Sequence, residues 1–314
     1  MTDTITPDVV TVGSMAIDSI RTPAGDAPNC LGGAAVHGSM SASFFARVGL
    51  VGVVGHDYPP HAIAMLEERS IDLCGVQHAD GKTFFWQGYY EGDMGDAFTE
   101  VTDLNVFADF QPELPASHRK APFLFLANIH PALQLYVLEQ MESPLLTMAD
   151  TMNFWITGEK DALTKVIQKV NVMFMNDAEL RQYTGIPNVV KAARAVLDLG
   201  PDAIIVKKGG NGAVMFSKAG DPEGPLGMSY FSAPAYPIPS LTDPTGAGDS
   251  FAGGFIGYLA KVHDTSEAAM RRGIIYGSVM ASFNVEDFSM NRVRRLTWPE
   301  IETRFARFEK IVAF

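Results

Sequence analysis

In this chain a carboxylate stands at the mouth of a glycine-rich loop. Asp243-Pro244-Thr245-Gly246-Ala247-Gly248-Asp249-Ser250-Phe251-Ala252-Gly253-Gly254 runs from small, turn-forming residues straight into a helical pattern. Glycines let backbone N–H groups approach a ligand closely, and a helix start presents unpaired donors with positive partial charge. Such a loop is an anion site, most simply for phosphate. Asp249 would repel that anion, so the carboxylate needs a task of its own. Accepting the proton of a hydroxyl that attacks phosphorus is such a task, and the chemistry indicated is phosphoryl transfer. An ordinary turn capped by Asp249 is the competing reading, and the length of the run weighs against it.

Other candidates are scattered along the chain. Asn176-Asp177-Ala178-Glu179 follows the apolar run Val172–Met175. Asn176 and Glu179 offer hard oxygen ligands of the kind that suit Mg²⁺ through water, while the same pattern also reads as a helix cap. Ala203–Val206 leads into Lys207-Lys208-Gly209-Gly210-Asn211-Gly212. That turn either holds a nucleotide by its backbone with a lysine near phosphate, or closes a hairpin. Asp18 lies just past the first strand, where a carboxylate is placed to bind hydroxyls, and Gly32-Gly33 gives a ligand room against backbone. His37 is a candidate for a substrate hydroxyl or a satisfied buried histidine. Two look-alikes fail: Gly75 and Gly81 are one residue too far apart for a P-loop, and Phe251 stands where a dinucleotide loop needs glycine.

The elements that must position these residues follow from periodicity. Val9–Val12, Phe123–Ala127, Leu145–Ala149, Val172–Met175 and Ala203–Val206 read as buried strands. Helical patterns fall between them, at His61–Arg69, Ala132–Met141, the stretch after Glu159, Val189–Leu199 and Ser266–Ser282. Phe251, Phe255, Leu259 and Val262 form one expected buried stripe after the loop. Strands alternating with helices imply a mostly parallel sheet. Residues 14–30 and 75–100 break the alternation, and Thr83-Phe84-Phe85-Trp86-Gln87-Gly88-Tyr89-Tyr90 favours strands. A small β-sheet lid is expected there, leaving 1–13, 31–74 and 101–314 as the large α/β domain.

Composition bounds the rest. The 314 residues are 47% hydrophobic and 19% charged, as in a folded globular protein. A formal charge of −12 argues against nucleic acid or anionic membrane as the main partner. Cys30 and Cys74 are too few and too distant for a metal cluster of thiols or a disulfide framework. Without a leader-like N-terminus or a long apolar run, a cytoplasmic protein is expected.

Taken in order, Asp18, Gly32-Gly33, Asn176-x-x-Glu179, Gly209-x-x-Gly212 and the loop Asp243–Gly254 make the chain resemble the PfkB/ribokinase family of sugar and nucleoside kinases. The resemblance implies a ribokinase-like Rossmann-type α/β fold with a β-sheet lid, and phosphorylation of a hydroxymethyl group by ATP with Mg²⁺. By similarity, Asp249 is the base, and the amides of Gly246, Ala247 and Gly248 form the anion hole. Asn176 and Glu179 organise Mg²⁺ and phosphate. Lys207, Gly209 and Gly212 line the nucleotide site, with Asn284 near the adenine. Asp18, Gly32 and Gly33 hold substrate hydroxyls, and Asp243 belongs to a monovalent-cation site for K⁺. The family often has Asn where this chain has His37, which speaks against simple ribose recognition. Phe84, Phe85, Trp86, Tyr89 and Tyr90 supply rings that stack on a nucleobase, fill a lid core or build a lid-mediated homodimer. The reading adopted is a nucleoside or sugar kinase, a nucleoside or ribosyl acceptor being favoured. The alternatives are a ribokinase- or fructokinase-like sugar kinase and a catalytically silent sugar- or nucleotide-sensing protein of the same fold.

Overall fold

The computed structural model describes residues 6–95, 97–220 and 226–313; the first five residues of the N-terminus read for a leader lie outside it. Strand β1 (Val9–Val12) opens the large sheet, and a hairpin of β2 (Ala16–Thr22) and β3 (Gly25–Gly32) leaves it at once. The chain returns through helix α1 (Ala34–Ala42), β4 (Val48–Val54), α2 (Pro60–Glu68) and β5 (Asp72–His78). It then leaves again as β6 (Phe84–Tyr89) and β7 (Phe98–Asp103). Alternation resumes with β8 (Phe123–Leu126), α3 (Pro131–Gln140), β9 (Leu146–Ala149), α4 (Asn153–Gly158), α5 (Lys160–Ile167) and β10 (Val172–Asn176). Helices α6 (Asp177–Thr184) and α7 (Val189–Leu197) precede the antiparallel run β11 (Ala203–Lys207), β12 (Ala213–Ser217) and β13 (Ser229–Ala233). Three helices finish the chain: α8 (Ala247–Val262), α9 (Glu267–Asn284) and α10 (Trp298–Val312).

The nine-stranded sheet has the order β13-β12-β11-β10-β9-β8-β1-β4-β5, and its strands from β11 to β5 run parallel. A separate four-stranded sheet has the order β3-β2-β6-β7. It departs from the expected 14–30 and 75–100 at three points, the first being Leu31 and Gly32, which still pair with β2. Residues 75–78 pair with β4 in the large sheet, and 101–103 pair with β6 in the small one.

Continuous apolar runs become strands covered on both faces. Along β1, Val9 faces the core under α1, α2, α8, α9 and α10, while Val10 and Val12 face the core under α3 to α7. The expected stripe on α8 holds at Phe251, Phe255 and Leu259 but fails at Val262, which is 42% exposed. Val262 is the last residue of the helix, and His263 turns the chain away in the left-handed region at φ 50°. Among the described residues no helix is long and apolar enough to cross a membrane.

Candidate active site

Strand β1 lies between β4 and β8, so the order of the parallel strands reverses there, and ligands of such sheets bind beyond the strands' carboxyl ends. Asp150 follows β9 directly, while Asn176 and Lys207 are the last residues of β10 and β11 and lie side by side in register. Asp249 sits in the first turn of α8. The small sheet contributes Asp18 and, at the end of β3, Gly32.

The loop before α8 turns at Gly246, whose φ of 72° is left-handed. The Ser250 amide donates to the Gly246 carbonyl at 2.8 Å, starting the helix. Among the described residues the amides of Gly246 and Gly248 donate to no backbone carbonyl, as an anion hole requires. Ala247, expected to join them, instead donates its amide to the Pro244 carbonyl at 3.1 Å and closes the turn.

Two further expectations are corrected under this loop. His37 is 2% exposed and its ring lies flat beneath Gly246, where a Cβ would stand 2.2 Å from Nδ1. Its Nδ1 faces Asn284 Oδ1 at 3.0 Å, and burial pushes the imidazole down to about 4, so the ring is neutral. Asn284 is 1% exposed and reaches no nucleotide surface. Its Oδ1 accepts from Ser250 Oγ (3.0 Å) and its Nδ2 donates to the Thr245 carbonyl (2.8 Å). The pair supports the loop from below. His37 sits on α1, and Asn284 ends α9 against it, so both are turned inward by packing.

On the other side of Asp249 lies a cluster of charge. Lys207 Nζ donates to Asp150 Oδ2 at 2.5 Å, a partnership the sequence reading missed. A carboxylate directly after a buried strand run was the available signal. Asn176 and Glu179 form a reciprocal cap: each backbone amide donates to the other's side-chain oxygen at 2.7 Å. This realises the capping alternative and leaves Glu179 Oε1 and Asn176 Nδ2 without a hydrogen-bond partner among the described residues. Burial first, then Asp150, pushes the Asp249 carboxyl up to about 7 against the pull of Lys207. Burial likewise pushes Glu179 up to about 7. Burial would lower Lys207, but Asp150, Glu179 and Asp249 together hold it above its usual value. Three carboxylates thus share one ammonium, a deficit of positive charge that a divalent cation would fill. The donor set therefore fits Mg²⁺.

Asp18 closes the site from the small sheet. It is 4% exposed, and burial, then Asp243 and Asp249, push its carboxyl up to about 8. Gly32 lies flat on it, since a Cβ there would stand 1.9 Å from Asp18 Oδ2. Gly33, at φ 101°, has the Ser14 carbonyl in the same position at 2.4 Å. Asp243 is fully buried and accepts from the amides of Thr245 (2.9 Å) and Ser289 (3.0 Å), so its first duty is to tie two loops.

The aromatic run divides. Phe84 stacks on Phe107 and Tyr89 on Phe98. Trp86 is the register partner of Asp18 and shares its face. Tyr90 meets Thr245 Oγ1 at 3.2 Å, and Thr22 Oγ1 donates to the Thr242 carbonyl at 2.8 Å, so the small sheet is bonded to the loop before α8. Beyond Lys207, Gly209 faces open space, as a backbone platform would. Gly212, expected beside it, instead admits the Ala233 carbonyl, 2.1 Å from where a Cβ would stand; its need is strand packing. A cavity of about 550 Å³ between Arg21, Asp26, Tyr89 and Glu100 belongs to the small sheet and not to this carboxylate cluster.

Comparison with known proteins agrees with this geometry. The family model for pfkB family carbohydrate kinases matches residues 8–291. A cytidine kinase of Thermococcus kodakarensis is 30% identical over 255 residues, covering 79% of this chain and 87% of that protein. The crystal structure of Methanocaldococcus jannaschii nucleoside kinase, an archaeal member of the ribokinase family, superposes with a TM-score of 0.75 at 20% identity, covering 96% of this chain and 98% of that one. A putative ribokinase II from E. coli, in complex with ATP and Mg²⁺, gives 0.74 at 18% identity over 96% and 99%. At those identities the two structures speak for the fold.

Proposed function

The chain belongs to the pfkB family of carbohydrate kinases, and from that premise we propose that it transfers the γ-phosphate of ATP to a hydroxymethyl oxygen of a nucleoside. The observation that carries the reading is the placement of Asp249. It lies between the free amides of Gly246 and Gly248, the Lys207–Asp150 pair, and the buried carboxyl of Asp18.

The acceptor enters between the small sheet and the carboxyl ends of the strands, with a hydroxyl on Asp18 and its base against Trp86. Asp249 takes the proton of the attacking hydroxyl, and its pKa of about 7 suits a base at neutral pH. The oxygen attacks phosphorus, the bond to the ADP oxygen breaks, and the proton remains on Asp249. Lys207 and the loop amides meet the charge on the transferring phosphoryl group. Mg²⁺, held by Glu179 and Asn176 through water, would supply further charge neutralisation on the phosphates. A second, monovalent cation such as K⁺ fits Asp243 as an additional ligand, since each of its oxygens carries only one amide bond.

The nucleoside preference draws on the cytidine kinase relative and on Trp86 sharing the Asp18 face. ADP release with Mg-ATP across cytidine, other nucleosides, ribose and fructose tests it, with Asp249→Asn as the blank. Turnover confined to nucleosides supports the proposal. Turnover confined to free sugars overturns the acceptor class.

A further inference from the structure

At the opposite end of the large sheet from the carboxylate cluster, three residues with no part in the transfer come together. Asp72 and Cys74 open β5, two positions apart on one strand, and His118 reaches them from a 3₁₀ turn at His118–Lys120. His118 Nε2 lies 3.2 Å from Asp72 Oδ2 and 3.4 Å from Cys74 Sγ. The three ligand atoms all lie within 4.8 Å of one another.

The surroundings are shaped for that ring. His118 is 0% exposed, and two glycines on neighbouring strands give it room. A Cβ at Gly49 would stand 2.7 Å from its Nε2, and one at Gly75 would stand 3.3 Å from its Nδ1. Hydrogen bonding alone leaves the imidazole poorly served. If Nε2 carries the proton it serves Asp72, and Nδ1 remains a buried acceptor with no partner. If Nδ1 carries it, the Nε2 lone pair faces a carboxylate oxygen.

We propose that Asp72, Cys74 and His118 form a zinc site. Zinc takes nitrogen at about 2.0 Å, sulfur at about 2.3 Å and carboxylate oxygen at about 2.1 Å in a tetrahedron. Those bonds put N and S about 3.5 Å apart and N and O about 3.3 Å apart, close to the separations here. One thiolate, one imidazole and one carboxylate favour zinc over Mg²⁺, which avoids sulfur. Cys74 is exposed, so solvent supplies the fourth ligand. The ion would bind the edge strand β5 to the segment that precedes β8, away from the nucleotide.

Cobalt(II) and zinc, added as the metal alone to chelator-treated full-length protein, test the site. One equivalent of Co²⁺ is expected to give a thiolate-to-cobalt charge-transfer band that Zn²⁺ abolishes. Cys74→Ser, an exposed change that leaves kinase turnover intact, removes the band and weakens Zn²⁺ at least about tenfold. Asp72→Asn weakens it comparably, and Cys30→Ser leaves the band unchanged. Absence of the band in the wild-type protein overturns the site, as does its survival in Cys74→Ser or its loss in Cys30→Ser.

Discussion

His37 Nδ1 and Asn284 Oδ1 meet at 3.0 Å, joining residues 247 positions apart beneath the anion loop. The contact fixes Asn284 so that one amide holds both Thr245 and Ser250. The loop's shape is therefore imposed by α1 and α9 as well as by its glycines. Asn284→Ala should lower kcat about tenfold or more by loosening the Gly246 and Gly248 amides, while the acceptor KM, proposed to depend on Asp18, changes little. Steady-state kinetics with each substrate varied separates the two.

Asp249→Asn keeps the shape of the side chain and removes its proton affinity. A fall in kcat of about 10²–10⁴-fold is expected, with ATP affinity by calorimetry within a few-fold of wild type. Loss smaller than about tenfold would assign the base role elsewhere.

Gly32→Ala is expected to act on one substrate only. Its Cβ would overlap Asp18 Oδ2, 1.9 Å away, and drive the carboxylate from its position. The acceptor KM should rise at least about tenfold, since a misplaced group loses a charge-assisted bond worth about 1.5–3 kcal/mol. The KM for ATP serves as the internal control.

Asp18 also makes stability depend on pH. Its pKa rises from 3.8 in the unfolded chain to about 8 in the fold, so the folded protein binds the proton more tightly. That contribution is full below about pH 4 and is lost as pH rises through 8. Asp18→Asn should therefore stabilise the ligand-free protein at pH 8 by about 2 kcal/mol or more and flatten the fall in Tm between pH 5 and pH 8, roughly. Calorimetric scans across that window check it; an unchanged slope would mean that Asp18 is not strained by its charge.

Much of the fold was readable because strands buried on both faces are unbroken apolar runs, as at Val9–Val12 and Val172–Met175. Strand β4 escaped because two glycines interrupt its run, although every residue in it is buried. Asn176-x-x-Glu179 was ambiguous for a physical reason: a capping box and a pair of oxygen ligands need the same two residues at the same spacing. The Asp150–Lys207 pair spans 57 residues and depends on strand order, which periodicity does not reveal. Asn284 reads as a ligand residue, and His37 stays open between ligand and core, because a polar residue on a helix gives no sign of which way it turns.

The reversal of strand order at β1 also sets a timetable for biosynthesis. Val9 pairs with Val48 on one side and Phe123 on the other, so the first strand made stays half-paired until the chain has passed the eighth. Asp249 follows every strand of the large sheet. At about 5–20 residues per second, roughly 10–50 seconds separate the emergence of Asp18 from that of Asp249. A ribosome stalled in that interval holds a chain that has made Asp18 and not yet Asp249. Such a fragment lacks the residue proposed to take the acceptor's proton, so no phosphoryl transfer is expected of it.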